Sequence, residues 1–396
     1  MNRLWQCSRL LAALLVALPV AAADHVFLDG FDTPVFAGTN LAGMEMDYAG
    51  YDQTAGPVAG TNYPIYDTRD IDYFASKGMT AVRFLFSWEA MQPHLGDPIP
   101  YADAGNYQAY FDNYKRIVDY ATDVNNLRVV VEPWQADTNG GAGGARWRGD
   151  LVGSAQVPAS AFADFWGKLA ANFKDNYLVS YGLVNEPNTM STLAWFADAQ
   201  AAITAIRNAG STQIIFVPGN GYTAASAWTQ NYYDTGNPAY SNAYGWMNAN
   251  GVGQPLSDPL HRLVTEVHTY LDSNQCGCVP GQEDEIVSVT AARDQIADTL
   301  DWANANGVKM YLGEIGFYAG ATTNDGHPAS AAWSDYVNYF NANRGPFMGF
   351  TWWAGGMPDW WNDLHGPHFA ISPTYNVNYT GDTVNMQMIG GSFPFR

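Results

Sequence analysis

The chain has 396 residues and a formal charge of −20 at neutral pH, with 38 acidic against 18 basic residues. Such a surface repels nucleic acid and anionic lipid at long range and suits a neutral partner. The length admits either two ordinary domains or one large α/β barrel with insertions, and excludes neither.

Residues 1–23 read as a secretory leader. Arg3 and Arg9 charge its start, "LLAALLVALPV" from Leu10 is a short apolar core, and Ala21 to Ala23 offer a small-residue cleavage site before Asp24. The apolar run is about half the roughly 20 residues that a membrane span needs, and no later stretch is longer. The expectation is an exported protein, extracellular or periplasmic, with no membrane segment, working as a monomer whose mature part is residues 24–396.

From there strands and helices alternate. "VFAGTNLAG" from Val35 reads as a strand, "DYFASKG" from Asp72 as the end of a helix that stops at a glycine, and "AVRFLFSW" from Ala81 as the second strand. "YQAYFDNYKRIVDYATDV" follows, with Tyr107, Tyr110, Phe111, Tyr114, Ile117 and Val118 on one helical stripe. "LRVVVEPW", the helical "SAFADFWGKLAANF", "LVSYGLVNEP" and the helical "LAWFADAQAAITAIRNAG" carry the alternation through Gly210, and "QIIFVPGN" is the fifth strand. Gly221 to Pro259 is rich in Gly, Asn, Tyr and Pro with only short helical patches. "RLVTEVHTY", the helical segment Val289 to Gly307, "VKMYLGEIG", "SAAWSDYVNYFNANRG" and "FMGFTWWAGG" complete eight strands. The last 30 residues read as loop or short strands. Near-continuously apolar strands separated by helices imply a parallel sheet covered on its outer face. Eight such units fit a single (β/α)8 TIM barrel with extended loops and a C-terminal extension, without a second domain.

Cys7 leaves with the leader, and "QCGCVP" keeps Cys276 and Cys278, which form either a tight local disulfide or two free thiols. A zinc site would need a richer cluster, so neither metal nor organic cofactor is expected. "NYT" at Asn378 is a glycosylation triplet of use only in a eukaryotic secretory route.

A barrel of this kind places its active site at the C-terminal ends of the strands. The polar residues there are Arg83, Glu132, Asn185 with Glu186, His268 with Tyr270, and Glu314, with Trp353 on the eighth strand. A charge inside an apolar run is costly unless paired, so these groups should satisfy one another around the barrel mouth. Glycoside hydrolysis needs two carboxyl groups, one protonated and one ionised, and Glu186 and Glu314 would face each other across the mouth. Arg83 and Tyr270 would hold one ionised, while a less charged pocket raises the pKa of the other. The bland readings are a helix N-terminal residue for Glu186 and a charged strand end for Glu314.

At these residues the chain resembles glycoside hydrolase family 5, over nearly its whole mature length. "LVNEP" resembles the family's acid/base motif, which implies Glu186 as proton donor and Asn185 as the ligand of the substrate 2-hydroxyl. "YLGEIG" resembles its nucleophile strand, with Glu314 as nucleophile. By the same resemblance Arg83 in "AVRFLF", His268 and Tyr270 in "EVHTYLD", and Trp353 in "GFTWWAGG" are its supporting and sugar-binding residues. "FAGTNLAG", "ARWRGDLVG", "VPGNGYTAASAW" and "HTYLDSN" are similar to segments of secreted endo-β-1,4-glucanases, implying a retaining cut within a neutral β-linked polysaccharide.

One departure stands out. The family usually carries a histidine after its third strand, in a D-x-H-N pattern, whereas here Glu132, Pro133, Trp134 and Gln135 occupy the segment. Trp134 or Gln135 thus stands where a sugar-binding histidine is expected, which opens β-mannan, xylan or mixed-linkage glucan as substrates beside cellulose. A carbohydrate-binding barrel without catalysis is the reading from another class. Trp147, Trp228, Trp360 and Trp361 extend the cleft or pack elsewhere.

Overall fold

Eight parallel strands close into a barrel in a computed structural model of the chain. They are β1 (Phe36–Ala42), β2 (Ala81–Phe86), β3 (Arg128–Pro133), β4 (Val179–Gly182), β5 (Ile215–Pro218), β6 (Leu263–Tyr270), β7 (Lys309–Gly316) and β8 (Phe347–Gly356). Each pairs with its neighbours in sequence, and β8 closes on β1. The structure describes residues 35–45, 52–102, 105–134, 144–236, 239–279, 284–356, 368–373 and 381–393. The leader, Gln135, Trp360, Trp361 and Asn378 lie outside them.

A helix follows every strand: α1 (Thr68–Ser76), α2 (Asn106–Asp123), α3 (Ala159–Phe173), α4 (Thr192–Asn208), α5 (Asn242–Met247), α6 (Ala291–Ala305), α7 (Ala329–Ala342) and α8 (Val384–Ile389). The expected (β/α)8 barrel is therefore observed, and its two irregular stretches are where the helix shrinks to six residues. The C-terminal stretch needs correcting, because Thr383 caps a short closing helix there by accepting from the Met386 amide at 3.2 Å. At α1 the cap is reciprocal: Asp67 accepts from the Arg69 amide at 2.9 Å and Asp70 from the Asp67 amide at 3.0 Å, an arrangement worth about 1 kcal/mol. The stripe predicted on α2 is buried at all six positions.

Alternation along the strands sorts side chains between two compartments. Phe36, Ala81, Val130, Phe216, Val264, Tyr311 and Met348 point inward and plug the barrel floor. The intervening residues meet the helices in the main core, each large side chain contributing about 1.5–3 kcal/mol. Trp352 and Trp353 divide the same way. Trp352 is fully buried toward α7, 5.7 Å from Trp333, whereas Trp353 joins Ala42, Leu85, Tyr270 and Phe369 at the mouth.

Among the described residues, no helix is long and apolar enough to cross a membrane.

Candidate active site

One step further up each strand, the inward positions become polar. On β2 Arg83 follows Ala81, on β3 Glu132 follows Val130, and on β6 Glu266, His268 and Tyr270 follow Val264. Arg83 is fully buried and forms the hub. Its Nε and Nη2 grip Glu132 at 2.8 and 2.6 Å, Nη1 donates to Asn40 at 2.8 Å and Glu314 at 2.9 Å, and Nη2 also donates to Asn185 at 2.6 Å. Glu266 lies 3.1 Å from Nε. Burial opposes the Arg83 charge, but Glu132, Glu266 and Glu314 overcome it and hold the guanidinium well above its usual pKa.

Glycines make room for these carboxylates. A Cβ on Gly182 would come within 2.0 Å of Glu132, and one on Gly313 within 2.2 Å of Glu266. Gly313 does more. With Tyr311 facing inward, strict alternation would turn Glu314 outward, but the β6–β7 register jumps from Val267 opposite Leu312 to His268 opposite Glu314. That bulge aims both Gly313 and Glu314 into the barrel. There Glu314 takes Arg83 on Oε1 and the Tyr270 hydroxyl on Oε2, at 2.6 Å.

Glu186 arrives differently. Strand β4 ends at Gly182, and Glu186 sits in the turn beyond it with φ of 48°. A left-handed glutamate is strained, and such strain concentrates at functional sites. The Asn185 amide donates to Pro133 at 2.8 Å, tying the turn to the end of β3. His268 Nδ1 contacts Glu186 Oε1 at 2.8 Å and lies 3.6 Å from Glu314 Oε2. The Glu186 side chain is 16% exposed and Glu314 4%, so Glu186 is the more open to the cleft. Burial raises the Glu186 pKa, with Glu314 reinforcing it and His268 pulling the other way. Burial also works against a charged His268, yet Glu314, Glu186 and Glu266 carry that imidazole up to about 10.

Glu186, His268 and Glu314 each place one atom within 4.8 Å of the others, the donor types of a metal site. Two carboxyl groups and an imidazole so placed can also pass a proton between them. Asn185 Nδ2 is buried with no acceptor among the described residues, leaving a donor for a ligand hydroxyl.

The structure thus brings Arg83, Asn185, Glu186, His268, Tyr270 and Glu314 into one network, with Trp353 beside them. Trp134 is half-buried and packs on the Tyr270 and Trp353 cluster. Trp228 is fully buried against Trp246 and Trp302, away from the cleft, and Trp147 is anchored by its indole N–H on the Gln92 carbonyl. Cys276 and Cys278 are joined in a disulfide.

Three members of the network were not anticipated: Asn40, Glu266 and Glu45. Glu266 had a visible signal, since it precedes His268 and Tyr270 by two and four residues on one strand and must share their face. Glu45 follows β1, accepts from the Gly43 amide at 2.6 Å, and is pushed up to about 7 by burial.

Known proteins resemble the chain over most of its length. Residues 29–356 match the model of the cellulase family, glycosyl hydrolase family 5. The chain is 30% identical over 374 residues to endo-β-1,4-glucanase B of Emericella nidulans, covering 94% of this chain and 95% of that one. An endo-β-1,4-glucanase from Xanthomonas axonopodis pv. citri superposes with a TM-score of 0.74 at 28% identity, covering 90% of this chain and 98% of that one. A Pseudomonas stutzeri endoglucanase solved with cellobiose gives 0.70 at 26%, covering 91% and 95%. With the match spanning the whole barrel, the chain belongs to glycosyl hydrolase family 5 and is a glycoside hydrolase.

Proposed function

We propose that this protein is an exported endo-β-1,4-glucanase that cleaves a neutral β-linked polysaccharide with retention of configuration. The observation that carries the mechanism is the spacing of Glu186 and Glu314, whose nearest paired oxygens lie within 4.8 Å. Retaining enzymes hold their carboxyl groups about 5–5.5 Å apart, whereas inverting ones leave about 6.5–9.5 Å for a water.

Two donors, Arg83 and Tyr270, face the two oxygens of Glu314, the surroundings of a carboxylate. Burial raises the Glu186 pKa above its ordinary value, which favours the protonated form that a general acid needs. In the first step Glu314 attacks the anomeric carbon while Glu186 protonates the departing oxygen, giving a glycosyl-enzyme and a shortened chain. In the second, Glu186 takes a proton from water, which attacks the same carbon and releases Glu314. His268 donates to Glu186 and orients it, and Asn185 Nδ2 supplies a hydrogen bond for the sugar 2-hydroxyl. Trp353 offers a flat face at the mouth for the ring to stack on. Similarity to endo-β-1,4-glucanases favours β-1,4-glucan as the substrate, and the leader-like sequence of residues 1–23 supports export.

Trp134 favours a second reading of substrate alone. An indole in place of the expected histidine replaces a hydrogen-bonding group with an apolar wall, which suits β-mannan, xylan or mixed-linkage glucan by the same mechanism. Hydrolysis of soluble cellulose, mannan, xylan and mixed-linkage glucan, with the first-formed anomer read by proton NMR, tests both readings. A β-anomer from cellulose is the expected result. An α-anomer would overturn the mechanism, and no turnover of any of the four would overturn the enzyme.

A further inference from the structure

The bulge that turns Glu314 into the barrel is not confined to one strand pair. Between β6 and β7 the register passes from Val267 opposite Leu312 to His268 opposite Glu314, and between β7 and β8 from Leu312 opposite Phe350 to Ile315 opposite Trp352. Gly313 therefore has no opposite residue on either side. The next ladder jumps at the same height, from Trp352 opposite Thr39 to Gly355 opposite Leu41, which leaves Asn40 unmatched on β8. A backbone carbonyl buried at such a break loses its place in the ladder and needs another donor.

Two side chains supply it. The Thr351 hydroxyl donates to the Gly313 carbonyl at 2.6 Å and Asn40 Nδ2 donates to it at 3.0 Å, which occupies both lone pairs of that oxygen. Thr351 faces inward because Phe350 and Trp352, on either side of it, pack outward on Trp333. Asn40 Nδ2 also reaches the Trp352 carbonyl at 3.1 Å, while its Oδ1 takes Arg83 Nη1. Having given its hydrogen to Gly313, Thr351 Oγ1 accepts from the Tyr311 hydroxyl, 2.5 Å away. A directed chain of hydrogen bonds thus rises from Tyr311 in the barrel floor, through Thr351, to the carbonyl of Gly313. Asn40, Thr351 and Tyr311 are all fully buried, so water does not compete for these bonds.

The chain ends where it bears on the chemistry. The Gly313 carbonyl and the Glu314 amide lie in one rigid peptide plane, which also contains the Glu314 Cα. Holding the oxygen from two directions holds that plane. Gly313, lacking a side chain, is otherwise the residue freest to turn it. A reacting group must stay within about 0.5 Å of its working position, and a glycine alone does not ensure that.

We infer that Thr351, oriented by Tyr311 and assisted by Asn40, is a positioning residue for the nucleophile, acting through the Gly313–Glu314 peptide and not through the sugar. The inference rests on Glu314 as nucleophile. Asn40 also holds Arg83, so Thr351 and Tyr311 are the positions that isolate the effect.

The test is trapping with a dinitrophenyl 2-deoxy-2-fluoro-β-cellobioside. Glu314 bonds to the anomeric carbon as the bond to the departing oxygen breaks, and dinitrophenolate leaves with the electron pair, without need of a proton. The fluorine slows the second displacement, so the glycosyl-enzyme accumulates. The limiting rate of the dinitrophenolate burst reports the first displacement, and half-saturation reports binding. Thr351→Val keeps the shape and removes the donor. It is expected to lower the limiting rate about three- to tenfold, as for loss of one hydrogen bond, with half-saturation unchanged. Thr351→Ser should retain most of the rate. Tyr311→Phe, whose ring keeps its place against Phe36 and Phe216, should lower the rate about threefold. Combined with Thr351→Val it should cost nothing further, because one residue acts through the other. A burst of one dinitrophenolate per chain certifies that each variant is folded. A limiting rate that is unchanged in Thr351→Val, falls as far in Thr351→Ser, or falls additively in the double variant would overturn the inference. If Thr351→Val does not fold, Tyr311→Phe decides by the same comparison of rate with half-saturation. A wild type that gives no burst, or carries the label on a residue other than Glu314, would instead overturn the proposed mechanism.

Discussion

Tyr270 donates its hydroxyl hydrogen to Glu314 at 2.6 Å, on the oxygen that Arg83 leaves free. A hydrogen bond to a charged group contributes about 1.5–3 kcal/mol. If that bond orients the nucleophile, Tyr270→Phe should lower kcat about 10- to 100-fold. The ring stays and keeps its packing on Phe369, so thermal melting should hardly move. Steady-state kinetics on nitrophenyl β-cellobioside checks this, and an unaltered kcat would remove Tyr270 from the mechanism.

The roles of the two glutamates separate by stereochemistry. Glu314→Ala with added azide should yield an α-glycosyl azide from a β-linked aryl substrate, because azide then attacks directly from the vacated side. Glu186→Ala should form the glycosyl-enzyme from an activated substrate and pass it to azide as the β-product. On unactivated glucan it should lose about 10²–10⁴-fold, the usual contribution of general acid catalysis. NMR of the azide products decides the matter, and the opposite pairing of anomers would exchange the two assignments.

The alkaline limb of the rate profile carries a third prediction. Glu186 must hold a proton to act as acid, so activity falls as pH rises through its pKa. Burial raises that pKa, while the hydrogen bond and charge of His268 lower it. His268→Ala removes the lowering influences, so Glu186 should titrate at higher pH. The limb of kcat/KM should move upward even as its plateau drops. A limb that stays in place would mean that His268 has only a structural role.

How much of this was legible in the sequence depended on period and on exceptions to it. Eight apolar runs and the stripe on α2 marked the barrel, because burial on a strand or helix face leaves a regular pattern. Glu186 was legible from "LVNEP" but its position was not: β4 stops at Gly182, and the left-handed turn that follows depends on contacts with β3. Glu314 was legible as a glycine-flanked carboxylate, yet strict alternation from Tyr311 would have turned it outward. Only the bulge at Gly313, seen in the pairing with β6, brings it inside. Glu266 was legible from its spacing to His268 and Tyr270 on one strand, whereas Asn40 was not, because its role is collective. It becomes meaningful once Arg83 is seen to need several acceptors in a space from which water is excluded.

Trp134 carries the last prediction. It directly follows β3, with its ring half-buried on the cluster that holds Tyr270 and Trp353. An apolar wall separates substrates by only about 10–200-fold, whereas a site that hydrogen-bonds a hydroxyl can reject the analogue lacking it by about 10⁴–10⁵-fold. An enzyme with Trp134 should therefore discriminate weakly between chains of hexose and of pentose, which lacks the hydroxymethyl group. Trp134→His introduces a donor and acceptor at the mouth and should raise the ratio of kcat/KM on β-1,4-glucan to that on β-1,4-xylan. Competition between cello- and xylo-oligosaccharides of equal length measures that ratio directly, with thermal melting recorded to follow the lost packing. A ratio that falls or does not move would show that Trp134 buttresses Trp353 without reading the sugar itself.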